Sequence, residues 1–171
     1  MKKWWEDSMR KKWDSKYENL LQFPEVNENL KRFIHLANPG RALDIACGMG
    51  QNATFLTNRG FDVDCVDISK VGLSYIEDPA IRRHCCDVNE FEFGRYDLIV
   101  CFNFLERAIF PKIVRALRPQ GLLIYETFTH RSSMNPKFCL RKNELLDAFK
   151  ELEILRYEAE GPKALLVARK S

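Results

Sequence analysis

No run of apolar residues in this 171-residue chain is long enough to span a bilayer as a helix. The opening "MKKWWEDSMRKKW" is basic but lacks the apolar stretch and small-residue cleavage site of a secretory leader. No pair among the six cysteines forms CxxC, and none lies at the close, repeated spacing of a zinc site. Charge of one sign is also scarce. Twenty-seven basic against 24 acidic residues leave a net +3, too little to argue for nucleic acid. There is no repeat and no low-complexity linker. These absences leave a one-domain globular protein, expected in the cytoplasm, with its cysteines as small packing residues in a reducing compartment. Cys65, Cys85 and Cys101 fall in strands read as buried, and Cys47 in a glycine turn.

What is present is an alternation. Trp5, Met9, Trp13 and Tyr17 stand four apart, followed by Leu20 and Leu21, which predicts an amphipathic helix within 1–23. All three tryptophans lie in it. A second helix is expected over 25–36. Then come strand 41–46, helix 51–58, strand 61–66, helix 70–76, strand 81–86, strand 96–102, helix 110–117, strand 121–128 and helix 142–150. Strands 152–158 and 163–170 follow, joined by a turn at Gly161 and Pro162. Alternating strands and helices imply a parallel sheet covered on both faces. Two strands joined by a short turn must run antiparallel. The expected fold is therefore α/β: a Rossmann-like, seven-stranded, mostly parallel sheet whose last two strands form an antiparallel pair. It is one domain over 1–171. The helix in 1–23 reads either as a lid over the open edge of the sheet or as plain packing.

"RALDIACGMGQNA" carries the chemistry. Its segment from Gly48 to Ala53 satisfies G-x-G-x-x-[GA] between a strand and a helix, and Asp67 follows roughly 20 residues on, where a ribose hydroxyl is held in dinucleotide-binding folds. That pattern alone suits a nicotinamide cofactor. Asp44 weighs against it. A carboxylate beside the turn repels a pyrophosphate by roughly 3 kcal/mol at ~6 Å and an effective dielectric of 20. The same charge attracts S-adenosylmethionine, which carries a sulfonium and an ammonium and no phosphate.

The stretch Leu43-Asp44-Ile45-Ala46-Cys47-Gly48-Met49-Gly50 resembles motif I, D-x-G-x-G-x-G, of the class I S-adenosylmethionine-dependent methyltransferases, with Ala46 in place of the first glycine. Cys65-Val66-Asp67-Ile68-Ser69 is similar to the second motif, whose acid binds the ribose hydroxyls. Cys86-Asp87-Val88 is similar to the third, whose acid meets the adenine amino group. Asn103, in Cys101-Phe102-Asn103-Phe104-Leu105, falls where the fourth lies, under the methionine moiety. The resemblance implies a cofactor site of Asp44, Ala46, Cys47, Gly48, Gly50, Asn52, Asp67, Ile68, Asp87, Val88 and Asn103. The stretch "NFLERAIFPKIVRALRPQGLLIYETFT" resembles small bacterial enzymes related to tellurite-resistance methyltransferases.

Methyl transfer from a sulfonium is an in-line displacement that depends on alignment. A soft acceptor such as a thiolate or an oxyanion needs no general base. "NFLER" replaces the (N/D)PPY turn of nucleobase-nitrogen methylases, and no second domain is there to read a duplex. Arg82, Arg83, Arg107, Arg115 and Arg118 read as solvated helix faces or strand ends. The acids assemble no metal site near the methyl. The loop after the fifth strand offers His130 and Arg131, with Asn103, as candidates to meet the acceptor. The expectation is methyl transfer to a small-molecule acceptor. A methyltransferase for RNA or protein, an inactive cofactor-binding scaffold and a nicotinamide oxidoreductase are the rival readings. Nothing in the pattern specifies an oligomer.

Overall fold

One strand of the sheet runs against all the others, and it is the last strand in chain order. The computed structural model describes residues 2–171. Its strands are β1 (Arg41–Ile45), β2 (Asp62–Asp67), β3 (Arg82–Cys85), β4 (Tyr96–Phe102), β5 (Leu117–Phe128), β6 (Glu153–Glu158) and β7 (Lys163–Arg169). They form one sheet in the order β3-β2-β1-β4-β5-β7-β6. The first five pair in parallel, and β7 runs antiparallel to both β5 and β6. The helices are α1 (Lys2–Glu18), α2 (Glu28–Phe33), α3 (Gln51–Thr57), α4 (Lys70–Ser74), α5 (Phe110–Ala116) and α6 (Glu144–Ala148).

Period-two alternation divides the central strands between two cores. Ala42, Leu98, Val100, Leu122 and Ile124 face Leu30, Ala53, Leu56 and Leu73 of α2, α3 and α4. Leu43, Ile99, Cys101, Leu123 and Tyr125 face Phe110, Ile113 and Leu145 of α5 and α6. Because both faces are covered, β1 and β4 read as nearly unbroken apolar runs.

Several boundaries move. The second helix starts at Glu28 instead of 25, because the Asn27 side chain caps it by accepting from the Asn29 and Leu30 backbone amides. The helix expected over 142–150 contracts to Glu144–Ala148. Cys85 is exposed, contrary to the buried strand expected, because β3 is a short edge strand that presents most of its side chains outward.

The first helix keeps Met9, Trp13 and Tyr17 of its expected stripe on the docked side but not Trp5. Trp5 is 47% exposed and Leu21 fully exposed. The docked edge also takes in Arg10 and Asp14, because these polar side chains hydrogen-bond to the loop after β2 and the start of α4.

One buried carboxylate belongs to the scaffold. Asp64, on β2, accepts from Arg41, Arg82 and the Tyr96 hydroxyl at 2.9, 2.6 and 3.0 Å, and lies 3.2 Å from His84 Nε2. These partners hold it down to a pKa of about 2, against the pull of its burial.

Candidate active site

The crossover connections run in opposite directions from β1 and β4, so the chain diverges at their carboxyl ends. In open α/β sheets that switch point leaves a crevice. Here it holds a cavity of about 100 Å³.

The β1 side is built by a turn in left-handed backbone. Ala46, Gly48 and Gly50 take φ of 54, 56 and 80°. A Cβ on Gly50 would stand 2.4 Å from Ile76, so that position needs glycine for room as well as for conformation. The Gly50 amide closes the turn on the Cys47 carbonyl at 3.0 Å, and α3 starts at the next residue. The Cys47 amide donates to Val66 at 3.2 Å, which ties the turn to β2. At the end of β2, the Asp67 carboxylate accepts from the amides of Gly48 and Ser69, each at 2.8 Å.

Of the residues expected from sequence, Asp44, Ala46, Cys47, Asn52 and Asn103 line the cavity. Gly48, Gly50 and Asp67 build the turn beside it. Asn103 directly follows β4 at φ 57°, a conformation that asparagine tolerates better than most residues. Its amide donates to the Glu126 carbonyl at 2.8 Å. Asp87 and Val88 are nearly buried just past β3, and the Ile68 carbonyl lies in the loop after β2. His130 and Arg131 are exposed and do not line the cavity. The Arg131 guanidinium donates to the Glu160 carbonyl at 2.7 Å.

Glu25, Asn27, Gln51 and Phe102 also line the cavity, and none of them was singled out from the sequence as a site residue. Asn27 carries the most structural consequence. Its amide N–H donates to Asn52 Oδ1 at 2.9 Å, and its Nδ2 donates to Glu126 Oε1 at 3.0 Å. Asn29 donates to the other Glu126 oxygen. Glu126 is 9% exposed at the end of β5, so two neutral amides hold a buried carboxylate and pin the start of α2 to the strand ends.

Electrostatics identify what the cavity is built to receive. Asp44 is 1% exposed, and its Oδ2 has no hydrogen-bond partner. Burial first, and the nearby Asp67 charge second, push its pKa up to about 8. Gln51 Oε1 is likewise buried without a partner. Near neutral pH Asp44 thus keeps a proton, and together with the orphaned Gln51 oxygen on the same small wall it gains from a donor-rich, positively charged group, which favours the ionised carboxylate. A second, larger depression of about 410 Å³, lined by Phe91, Phe93, Arg95, Lys112 and Arg115, lies toward the start of β4. It is away from the carboxyl edge and from the glycine turn.

Comparison with known proteins matches this construction. The chain is 29% identical over 147 residues to Hemagglutinin 1 of Eikenella corrodens, covering 75% of the chain and 49% of that protein. It is 26% identical over 140 residues to the "Probable S-adenosyl-L-methionine-dependent methyltransferase TehB" of Haemophilus influenzae, covering 71% of the chain and 49% of the relative. The chain thus spans about half the length of these relatives. In three dimensions it superposes on the crystal structure of TehB from Haemophilus influenzae with a TM-score of 0.80 at 18% identity, over 93% of this chain and 67% of that one. That likeness establishes the fold. A family model described as tellurite resistance protein TehB matches residues 8–163. With nearly its whole length matched by that one model, the chain belongs to the TehB family.

Proposed function

We propose that the chain is an S-adenosylmethionine-dependent methyltransferase acting on a small-molecule acceptor, a thiol or an oxyanion. The observation that carries the reading is the unpartnered, buried Oδ2 of Asp44 in the cavity after β1. A nicotinamide dinucleotide would bring its pyrophosphate to this turn, against that carboxylate. The methionine arm of S-adenosylmethionine brings an ammonium, which Asp44 and Gln51 accept. In this reading Asp67, at the end of β2, meets the ribose, and Asp87 and Val88, after β3, meet the adenine. The family relationship supports the same reading.

When bound, the cofactor supplies an electrophilic methyl group on sulfur. The residues of this chain bind and align. Asp44 would hold the cationic arm, and the Asn103 backbone, fixed to Glu126, closes the cavity on the β4 side. Asn27 and Glu126 lock the start of α2 to the end of β5, beside the cavity. An in-line displacement gains most of its advantage from such alignment. A thiolate or an oxyanion is nucleophilic near neutral pH, so it requires alignment and no proton acceptor. The thiols of the chain suit a reducing compartment, and the cytoplasm is the location proposed.

Calorimetry with S-adenosylhomocysteine and with NADH tests the cofactor. The first should bind and the second should not. Labelled-methyl turnover with small thiols and with selenite or tellurite tests the acceptor. Transfer confined to RNA or protein fractions of a cell extract would overturn the small-molecule reading.

A further inference from the structure

The first helix reaches the glycine turn from outside the sheet. Asp14 Oδ1 accepts from the Ser69 hydroxyl at 2.6 Å and from the Val71 amide at 3.1 Å. Arg10 Nε donates to the Ile68 carbonyl at 3.2 Å. Ile68 and Ser69 form the loop after β2, which directly follows Asp67, and Val71 stands in the first turn of α4. The helix is therefore fastened to the part of the cleft that faces the ribose.

One turn beyond Asp14, Tyr17 enters space left by two glycines. A Cβ on Gly48 would stand 2.6 Å from the Tyr17 hydroxyl, and a Cβ on Gly72 would stand 3.1 Å from two ring carbons. Gly72 has no positive φ, so its missing side chain makes room for the tyrosine and serves no turn. Trp13 stacks on the phenol ring at 6.0 Å and 28°. The ring is thus held on three sides. Its hydroxyl hydrogen-bonds to no other described residue, although Asp67, Cys47 and Asp44 are its electrostatic neighbours. Burial and those acids keep the phenol protonated, so it remains a donor.

The hydroxyl thus stands over the motif turn as a donor with no acceptor among the described residues. The two carboxylates of the cleft, Asp44 and Asp67, can only accept when ionised, and the oxygens of the ribose and of the methionine carboxylate need donors. We propose that Tyr17 is a cofactor-binding residue: α1 presents its hydroxyl as a hydrogen-bond donor to a ribose or carboxylate oxygen of S-adenosylmethionine. Asp14 and Arg10 act as positioning residues that hold the helix on the loop after β2. This inference rests on the cofactor reading above and assigns to the site a helix that precedes all of its motifs.

The test is S-adenosylhomocysteine affinity, by calorimetry, for the full chain and for Tyr17→Phe, Tyr17→Ala, Asp14→Asn and Asp14→Leu, with melting curves taken without ligand. Tyr17→Phe should weaken binding five- to tenfold at an unchanged melting midpoint, the range for one neutral hydrogen bond. Asp14→Asn keeps the accepting oxygen and should bind within about twofold of the wild type, whereas Asp14→Leu should lose at least as much as Tyr17→Phe. Repeating the Tyr17→Phe comparison with methylthioadenosine, which lacks the amino acid, separates the two oxygens. A loss that persists assigns the ribose, and one that disappears assigns the carboxylate. Ligand should also change tryptophan emission, since Trp13 rests on the phenol ring. Wild-type affinity in Tyr17→Phe overturns the inference. Tighter binding by Tyr17→Ala also overturns it, by showing the ring to be an obstacle. If the unaltered chain fails to bind S-adenosylhomocysteine, the cofactor reading itself falls and takes this inference with it.

Discussion

The Asp67 carboxylate accepts the Gly48 amide at 2.8 Å, so the end of β2 holds the backbone of the turn that follows β1. Its other oxygen accepts the Ser69 amide at 2.8 Å. An acid expected only to meet a ribose therefore also assembles the site before any ligand arrives. Asp67→Ala should lower folding stability by about 2 kcal/mol, because it strands two buried amides. It should also weaken S-adenosylhomocysteine by a further ~2 kcal/mol, roughly 30-fold. Asp67→Asn keeps an acceptor and should retain most of the stability. Urea unfolding and calorimetry read the two effects separately. An Asp67→Ala protein as stable as the wild type would refute the structural half.

Asp44 links the site to pH. Its pKa in the folded chain, about 8, lies above the ordinary carboxylate value of ~3.9. The folded state therefore holds a proton that the unfolded state has released, and stability falls as pH rises from about 4 to about 8. Asp44→Asn should flatten this decline. A cationic ligand favours the ionised carboxylate, so binding below pH 8 should expel up to one proton. Affinity for S-adenosylhomocysteine should then rise from pH 6 to pH 8, by at most tenfold per pH unit. Calorimetric enthalpies in buffers of different ionisation heat count the proton. Equal enthalpies in all buffers would place the ammonium away from Asp44.

Asp64 acts in the opposite sense. Arg41, Arg82, His84 and Tyr96 hold its pKa to about 2, below the unfolded value, so its contribution is complete above about pH 4 and disappears as pH falls toward 2. Asp64→Ala should cost about 2–3 kcal/mol at neutral pH. That is less than a fully buried pair, because the arginines keep roughly 40% of their side-chain surface in water. Acid unfolding of this variant should start from a lower stability and decline less steeply between pH 4 and pH 2. An unchanged acid limb would assign that decline to other carboxylates.

The sheet was legible because buried parallel strands leave apolar runs, and because a helix must intervene between parallel neighbours. Period and turn residues located β1, β2 and β4 to within a residue or two. They identified the terminal hairpin without revealing that β7 inserts between β5 and β6. The glycine turn and its acids were legible because their spacing is local. Asn27, Gln51 and Glu126 were not, since their roles arise only when segments far apart in the chain meet at the strand ends. Tyr17 shows the limit most clearly. Its spacing from Trp13 marked an apolar stripe, but the helix docks through Arg10 and Asp14 as well, which periodicity assigns to the solvent side. One pattern signal did point to the partner surface: Gly72, a glycine inside a helix with ordinary backbone.

Ala46 stands in the turn at φ 54°, where the methyltransferase pattern carries glycine. The left-handed conformation costs a residue with a Cβ roughly 1–2 kcal/mol. Glycine removes that strain but gives back part of the gain through the larger entropy of the unfolded chain, about 0.5–1 kcal/mol. It also removes a methyl group that packs against the core beneath the turn. The balance should favour Ala46→Gly by up to about 1 kcal/mol, a rise in melting temperature of about 2–4 °C for a chain of this size. The same substitution frees a wall of the cavity, so S-adenosylhomocysteine affinity should hold or improve. Melting curves of the apo proteins measure the first effect and calorimetry the second. A less stable Ala46→Gly protein would show that the methyl group's packing outweighs the strain, and that alanine is kept there to hold the turn closed.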